Sequence, residues 1–316
     1  MYGYDNYQKV KEEINERRQR AIKLADERNA HVRDISKDIR IIDAELVKTG
    51  LLLFKTACEG GNIDEIRERN LKLNEDRRAV LKTLGYPEDY TEVKYTCPIC
   101  SDTGFTDINM CSCFREALLK ENIKSSGIGE LIEKQSFDNF SLAHFTSDPD
   151  LHERMEKNLN VAKDFANNFG KASKNLLLMG PTGTGKTHIS TAIAKTVIEK
   201  GYDVIYDSTQ NIVSAFEADK FKSGYGYSES KSNKYLECDL LILDDLGTEF
   251  SSQFTVTCLY NLLNTRLNKG LFTVISTNLS PAELSDKYED RIYSRIIGSD
   301  SRILLFGGKD RRINGK

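Results

Sequence analysis

Residues 175–188 read NLLLMGPTGTGKTH: a short apolar run, a glycine-rich loop and the start of a helical pattern. The apolar run predicts a buried strand from Asn175 to Met179, and the residues after the loop predict a helix from His188 to Glu199. A strand, a glycine-rich loop and a helix in this order form the Walker A motif, whose backbone amides surround an anionic phosphate. The residues expected to bind a nucleotide here are Gly180, Pro181, Thr182, Gly183, Thr184, Gly185, Lys186, Thr187 and His188.

Two side chains of this loop have expected roles of their own. Lys186 is expected to reach the β- and γ-phosphates of ATP, and the Thr187 hydroxyl to ligate Mg²⁺. The alternative is a chance glycine-rich turn, but every fixed position of the motif is filled in its strand–loop–helix setting. The sequence therefore predicts a nucleotide-binding ATPase of the P-loop class.

Five short apolar runs alternate with helical patterns after Leu151. This alternation predicts an α/β fold, in which a parallel sheet is joined by right-handed crossovers. The expected strands are Asn175–Met179, Asp203–Tyr206, Leu240–Leu243, Phe272–Ser276 and Arg302–Phe306.

The third run ends in two acidic residues and reads LLILDD from Leu240 to Asp245. An apolar strand that delivers carboxylates at its C-terminal end is the Walker B pattern, and open α/β sheets bind ligands at that edge. Asp244 is expected to bind Mg²⁺ through water, and Asp245 to polarise the attacking water. A plain strand end is the alternative, which the Walker A motif upstream disfavours.

Two further residues are catalytic candidates because of their order in the chain. Asn278 follows the strand that begins at Phe272, where its amide can hold the lytic water against the γ-phosphate. Arg295 lies four residues after Arg291 on a predicted helix, and P-loop enzymes often take such an arginine from a neighbouring subunit. A solvated helix face is the alternative for both arginines.

Four of the seven cysteines lie close together in the segment from Tyr95 to Phe114, and the other three are Cys58, Cys238 and Cys258, expected as buried small hydrophobes. Two closely spaced pairs in a reducing compartment indicate a structural Zn²⁺ site, with unpaired thiols or an iron–sulfur cluster as alternatives. The expected ligands are Cys97, Cys100, Cys111 and Cys113.

The N-terminal region has the apolar spacing of long helices. One stripe extends from about Tyr7 to Phe54, and Gly60-Gly61 interrupts it. Asn62 is then expected to cap a second helix, with Glu65 in the capping-box position. The two helices predict either an antiparallel hairpin or a coiled coil that binds a partner, and periodicity does not choose between them.

Length and composition bound the remaining possibilities. A chain of 316 residues with a net charge of −3 is long enough for two domains. It has no apolar run that could span a membrane and no secretory signal pattern, so a cytoplasmic protein is expected. The expected division is a helical region (1–94), a zinc-binding segment with a linker (95–136) and an ATPase domain (137–316).

Taken in order, GPTGTGKTH, LLILDDLG, STN, EDRIYSR and FGGKDRR resemble the AAA+ replicative helicase loaders of the bacterial DnaC/DnaI type. The resemblance covers the chain from about Phe137 onward and extends less firmly to the N-terminal region. It implies an AAA+ core, a parallel sheet flanked by helices without a separate lid domain, and an α-helical, zinc-stapled N-terminal domain. It also implies Asn278 as first sensor, Arg295 as arginine finger and Arg312 as the second-sensor arginine.

The same resemblance implies contacts with single-stranded DNA. Aromatic residues and lysines interleave between Asp207 and Tyr235, as in surfaces that stack on bases and follow phosphates. Phe221, Ser252 and Phe254 are at positions where the family contacts DNA. The alternative is that Phe216 and Phe221 are core residues of a helix.

Three functions fit these motifs. The leading one is an ATP-dependent loader that binds a hexameric replicative helicase through its N-terminal region, delivers it to single-stranded DNA, and forms a homo-oligomer when ATP is bound. The second is a transposition helper ATPase of the IstB type. The third is a zinc-stapled adaptor with a vestigial ATPase, which intact Lys186, Thr187 and Asp244 disfavour.

Overall fold

The structure, a computed structural model, describes residues 4–146, 148–171, 175–222, 230–288, 290–308 and 310, without the side chains of Phe221 and Lys222. It divides into two compact units. The ATPase unit consists of Met1–Lys9 and Glu116–Lys316, and the helical unit of Val10–Arg115. The domain boundaries expected from the sequence stay predictions. Within the described residues, every helix is too short or too polar to cross a membrane.

The first predicted helix is two helices. Ser36 interrupts it with an extended backbone (φ −128°, ψ 120°), and its hydroxyl accepts a hydrogen bond from Ile39 N at 3.3 Å. A serine in this position caps a new helix, because its side chain satisfies an amide that has no partner in the helix. The helices of this region are α1 (Tyr4–Ile35), α2 (Lys37–Cys58) and α3 (Asp64–Thr83).

The glycine turn lies between α2 and α3, as expected, and α3 begins one residue later than predicted. Its N-cap is Ile63, which makes no side-chain capping bond, but Asn62 Oδ1 accepts from Asp64 N at 2.9 Å, so the Asn62 side chain satisfies an amide of the first turn. The three helices share a small apolar core of Val32, Ile39 and Leu81. Cys58 is exposed rather than buried, because it is the last residue of α2.

Arg77, on α3, links α1, α2 and the segment around Thr91 through polar contacts. Its guanidinium donates to Asp43 at 2.7 Å, to Asn29 Oδ1 at 2.8 Å and to Thr91 Oγ1 at 2.6 Å. Burial disfavours the charged Asp43, yet Arg77 and Arg33 together hold the pKa of its carboxyl below the ordinary value. A charged side chain with several charge-assisted hydrogen bonds fixes the relative positions of the helices that supply them.

The ATPase unit contains a five-stranded sheet in which every neighbouring pair is parallel. Its strands come after β1 (Phe105–Thr106) and β2 (Asn109–Met110) in the chain and are β3 (Asn175–Met179), β4 (Val204–Ser208), β5 (Leu240–Leu246), β6 (Phe272–Thr277) and β7 (Ser301–Leu305). The strand order is β4-β5-β6-β3-β7, so the Walker A strand β3 lies between β6 and β7. The predicted α/β class is confirmed, and each predicted strand agrees with the structure to within a few residues.

Helices cover both faces of this sheet. Successive side chains of a strand point to opposite faces, and β3 follows this rule. Leu176 and Leu178 belong to one apolar core, and Leu177 and Met179 belong to the other. The helices are α4 (Ser112–Ser125), α5 (Leu131–Lys134), α6 (Pro149–Asn167), α7 (Lys186–Glu199), α8 (Thr209–Lys222), α9 (Asn233–Glu237), α10 (Gln253–Asn268), α11 (Pro281–Lys287) and α12 (Asp290–Ile297), with a 3₁₀ turn at Leu142–Phe145.

Candidate nucleotide-binding site and cysteine cluster

A polar cleft lies at the C-terminal edge of the sheet, where β3, β5 and β6 end. This edge is where parallel α/β sheets bind ligands, because loops and helix N-termini converge there. The cleft brings together side chains from the Walker A loop, the Walker B strand and the end of β6. The residues that line it are Gln135, Thr182, Gly183, Gly185, Lys186, Thr187, His188, Asp245 and Asn278.

Two glycines give the Walker A loop its shape. Gly180 has φ +150°, and a Cβ there would lie 2.2 Å from the carbonyl oxygen of Phe306. Gly185 has φ +102° and is the N-cap of α7. Only glycine adopts such backbone angles without strain, so the loop is committed to the curve that presents its amides to an anion.

Lys186 is held at the centre of the cleft. Its side chain is buried, and its ammonium donates to the carbonyl oxygens of Gly180 at 2.6 Å and Pro181 at 2.7 Å, and to Asn278 Oδ1 at 2.7 Å. The structure thus brings together two candidates that lie far apart in the sequence. A buried cation beside a loop of amides fits the phosphate chain of a nucleoside triphosphate.

The two Walker B carboxylates have different surroundings. Asp244 accepts hydrogen bonds from the hydroxyls of Tyr206, at 2.6 Å, and Ser276. The pairing of β5 with β6 shifts register between Leu243 and Leu246, and Asp245 has a left-handed φ of +55°. A bulge of this kind redirects the side chain at a strand end. Asp245 therefore lines the cleft, whereas Asp244 is not among the described residues that do.

Tyr206 and Ser276 are residues to which the sequence analysis gave no role. Burial, together with the neighbouring Asp244 carboxylate, raises the pKa of Tyr206, so its phenol stays a donor. Ser276 Oγ also accepts from Asp245 N at 2.9 Å, which joins both aspartates to β6. The pairing of the strands places these hydroxyls beside Asp244, and no motif in the sequence marks them.

Gln135 is a further lining residue that the sequence motifs do not indicate. Its Oε1 atom is buried and has no hydrogen-bond partner among the described residues. The segment that carries it is attached to the start of α7, where His188 Nε2 lies 2.9 Å from both Ser136 O and Asn139 Oδ1. A buried acceptor that faces a polar cleft can receive a donor from a ligand.

Of the two candidate arginines, Arg295 is not among the described residues that line the cleft. Arg295 donates to Asn264 Oδ1 at 2.7 Å, and its guanidinium lies 4.6 Å from the Tyr260 ring centroid. Arg312 lies outside the described residues. The residues shortly before Arg312 in the chain lie beside the Walker A loop. Phe306 N donates to Met179 O at 2.7 Å, and a Cβ at Gly183 would clash with Asp310.

Two of the three expected DNA contacts, Ser252 and Phe254, follow the Walker B strand in the chain. Ser252 is exposed but caps α10, accepting from Thr255 N at 3.1 Å. Phe254 packs partly against the core, with Lys220 Nζ 4.9 Å from its ring centroid. The Phe221 side chain lies outside the described residues, and Phe216 packs partly against the same core.

The four clustered cysteines of the helical unit converge on one point. Their sulfur atoms all lie within 4.8 Å of one another, with Cys97 and Cys111 at 3.8 Å and Cys100 and Cys113 at 3.5 Å. Four sulfurs around a tetrahedral zinc, each about 2.3 Å from the metal, lie roughly 3.8 Å apart. The donor set and its dimensions therefore fit Zn²⁺, with β1 (Phe105–Thr106) and β2 (Asn109–Met110) forming the hairpin between the pairs.

Asp102 supports the loop that carries this cluster. Its carboxylate is fully buried and accepts from Thr96 N at 2.8 Å, Cys97 N at 2.9 Å and Arg17 at 2.7 Å. Burial opposes its ionisation, but the Thr96 and Cys97 amides and Arg17 keep the pKa of Asp102 below the ordinary value. The ion pair attaches the cysteine loop to α1 within the helical unit.

The chain has relatives among proteins of DNA replication. It is 26% identical over 200 residues to the replicative helicase loader DnaC of Buchnera aphidicola subsp. Baizongia pistaciae, which covers 60% of this chain and 78% of the relative. The crystal structure of the DnaC helicase loader aligns with a TM-score of 0.48 and 20% identity over 56% of this chain and 98% of that one. The crystal structure of DnaI aligns with a TM-score of 0.45 and 21% identity over 59% of this chain and 95% of that one.

The DnaC relative of Buchnera aphidicola confirms the resemblance to DnaC/DnaI-type proteins that the motifs indicated. The sequence model of one family, described as IstB-like ATP binding protein, matches residues 127–299. The match begins before α5 and ends after α12, so it contains the cleft and every described residue that lines it. Since it covers more than half of the 316 residues, the chain belongs to the family of IstB-like ATP-binding proteins.

Proposed function

We propose that the chain is an ATP-dependent loader of a replicative DNA helicase onto single-stranded DNA, with ATP binding and hydrolysis as its assembly switch. The observation that carries the proposal is the convergence of Lys186, Thr187, Asp245 and Asn278 in one cleft. That set supplies a phosphate-binding cation, a hydroxyl ligand for Mg²⁺, a carboxylate and an amide. The DnaC relative is a replicative helicase loader, and this similarity supports helicase loading as the function of the ATPase.

The cleft residues have separate tasks in this proposal. When ATP binds, the Lys186 ammonium exchanges its contacts with the Gly180 and Pro181 carbonyl oxygens for contacts with phosphate oxygens. Phosphate oxygens are stronger acceptors because they carry charge. Thr187 would hold Mg²⁺ through its hydroxyl and Asp244 through water, and the ion would neutralise charge on the phosphates. Tyr206 and Ser276 fix the orientation of Asp244.

Hydrolysis requires a positioned water and a stabilised transition state. Asp245 polarises the water, and Asn278, already in contact with Lys186, holds it toward the γ-phosphate. Arg295 reaches the ATP of a neighbouring protomer, while Arg312 contacts the nucleotide of its own protomer. Head-to-tail contacts of this kind generate rings or open spirals, which supports an ATP-dependent homo-oligomer.

An apolar face of α2 is the proposed binding site for the helicase. Val47, Leu51 and Phe54 are 61%, 67% and 73% exposed, and their spacing places them on one side of the helix. Exposed apolar side chains at this spacing are suited to docking against a partner helix. In the same unit, Zn²⁺ bound by the four cysteines has a structural role, because protein thiolates fill every coordination position.

The second candidate, a transposition helper ATPase of the IstB type, shares the family whose model matches. That match ends at residue 299 and begins at residue 127, so it does not include the α2 face. The DnaC relative is itself a replicative helicase loader, which favours the loader.

Binding of the full-length chain to the purified hexameric replicative helicase tests the proposal. We expect a stable complex by size-exclusion chromatography, and loss of that complex in the double variant Leu51→Asp/Phe54→Asp. The matched control is Ile108→Asp, which alters another exposed apolar residue of the helical unit and should leave the complex intact. Binding to a transposase with no binding to the helicase would reject the loader in favour of the helper.

A further inference from the structure

One aromatic side chain in the ATPase unit is almost fully exposed. Phe250 is 87% exposed, although the preceding residue, Glu249, is 4% exposed. In the fully described stretch 230–288, Phe250 is the only large hydrophobic side chain that is exposed. It lies in the loop 247–252, which follows the Walker B strand and precedes α10. No motif in the sequence marks this residue.

Buried polar contacts hold the backbone on both sides of Phe250. Glu249 accepts from Gly247 N at 2.9 Å and from the Tyr288 hydroxyl, and Lys287 Nζ lies 3.2 Å from its carboxylate. After the ring, Thr255 Oγ1 donates to Phe250 O at 2.9 Å. Phe250 is therefore exposed because these hydrogen bonds hold the loop in a conformation that points its ring into solvent. A ring held in this way loses little conformational entropy when a ligand covers it.

We infer that Phe250 is the platform on which an unpaired base of single-stranded DNA stacks. The inference rests on the proposed loader function and names a contact residue for its DNA. Every base has a π-face, so one fixed aromatic ring binds single strands with little dependence on sequence.

The surroundings of the ring favour a base over a protein partner. Its neighbours Thr248, Ser251 and Gln253 are exposed and polar, so the ring is not part of an apolar patch of the size that protein interfaces bury. Beside it, the 16-residue helix α10 begins, and a helix N-terminus attracts phosphate. Lys220, next to Phe254, adds a cation to the same region.

Phe250 is also better placed for stacking than the aromatic residue expected from the sequence. Phe254 packs partly against the core, and its ring already lies beside the Lys220 ammonium. The Ser252 hydroxyl is used as the cap of α10. In this arrangement Phe254 and Ser252 support the loop, and Phe250 supplies the open ring.

The test uses the absence of tryptophan from the chain, which makes Phe250→Trp a single-tryptophan reporter. Full-length protein with ATP is titrated against fluorescein-labelled oligo(dT) by anisotropy. We expect Phe250→Ala to weaken binding by about tenfold, the effect of losing one stacked base, and Phe250→Trp to restore it. We also expect the tryptophan fluorescence of Phe250→Trp to be quenched by oligo(dT) and not by a blunt duplex.

Tyr4→Ala and Tyr4→Trp are the matched controls, since Tyr4 is an exposed aromatic residue of the same unit at a different site. Neither should change affinity, and the Tyr4→Trp signal should not respond to oligo(dT). Unchanged affinity in Phe250→Ala overturns the inference alone, whereas a wild-type chain that binds no single strand also removes the DNA step of the proposed function. A Phe250→Trp signal that responds to ATP-driven assembly and not to DNA assigns the ring to a protomer contact and overturns the inference.

Discussion

The nucleotide cleft and the cysteine cluster are assembled in opposite ways. The cleft joins Lys186 to Asn278 and Asp244 to Tyr206, so it exists only when a sheet of five strands has formed in the correct order. The cluster joins four thiols within one short loop, and its segment has little apolar core of its own. The cleft is thus stabilised by tertiary structure before any ligand binds, whereas on the zinc proposal we expect the cluster to need a bound ion for its local stability.

Substitution of one cysteine of the cluster tests whether the segment needs a metal ion to stay folded. We expect Cys100→Ser to abolish binding of a single zinc ion per chain and to unfold the segment around the cluster, because structural zinc contributes on the order of 10 kcal/mol to such sites. Metal analysis and protease sensitivity of the helical unit measure both effects, while ATP affinity stays unchanged.

Cys58→Ser is the control for the cysteine variant, because Cys58 is the exposed cysteine of the same unit and lies outside the cluster. It should keep zinc and protease resistance. Iron in place of zinc, or a metal-free protein whose cysteine segment stays folded, would contradict the assignment.

The second prediction tests whether the cleft is complete within one chain. Lys186→Ala removes the buried cation and should weaken ATP binding by about 1,000-fold, the cost of leaving a charge without its partner. Arg295→Ala should keep ATP affinity, because Arg295 contacts α10 rather than the cleft, but should lower hydrolysis by about 1,000-fold. Isothermal titration and phosphate release measure the two effects.

Mixing the two inactive variants tests whether Arg295 acts on the ATP of its own protomer or on that of a neighbouring protomer. An interface with intact Lys186 on one side and intact Arg295 on the other should recover part of the activity. If the folded variants assemble together and the mixture remains inactive, Arg295 does not act across an interface.

A smaller decrease in the hydrolysis rate is expected when a hydroxyl that donates to Asp244 is removed. Tyr206→Phe removes one of the two hydroxyl donors to Asp244 and should lower hydrolysis about fivefold, the worth of one hydrogen bond of about 1 kcal/mol. Tyr202→Phe is the control, since that hydroxyl lies 3.4 Å from Phe169 O. Equal rates in both variants would show that Ser276 alone positions Asp244.

The sequence predicted the parts of the molecule that depend on local rules. Walker A could be recognised because glycines and lysine at fixed spacing have one common structural meaning, and the strand bounds followed from short apolar runs. The roles of Tyr206 and Gln135 could not be predicted, because they depend on which distant segments the fold places beside the cleft. The break at Ser36 was missed because the apolar stripe continues through it, and the start of α3 was predicted one residue too early although the Asn62 side chain does accept from Asp64 N.

The left-handed backbone of Asp245 has a consequence for how this protein can vary. A non-glycine residue at φ +55° costs about 1 kcal/mol relative to a residue that adopts this conformation freely. The aspartate at this position thus lowers folding stability and places a carboxylate in the cleft. If Asp245 polarises the attacking water as proposed, a descendant that no longer needed hydrolysis would gain stability by replacing this aspartate with glycine.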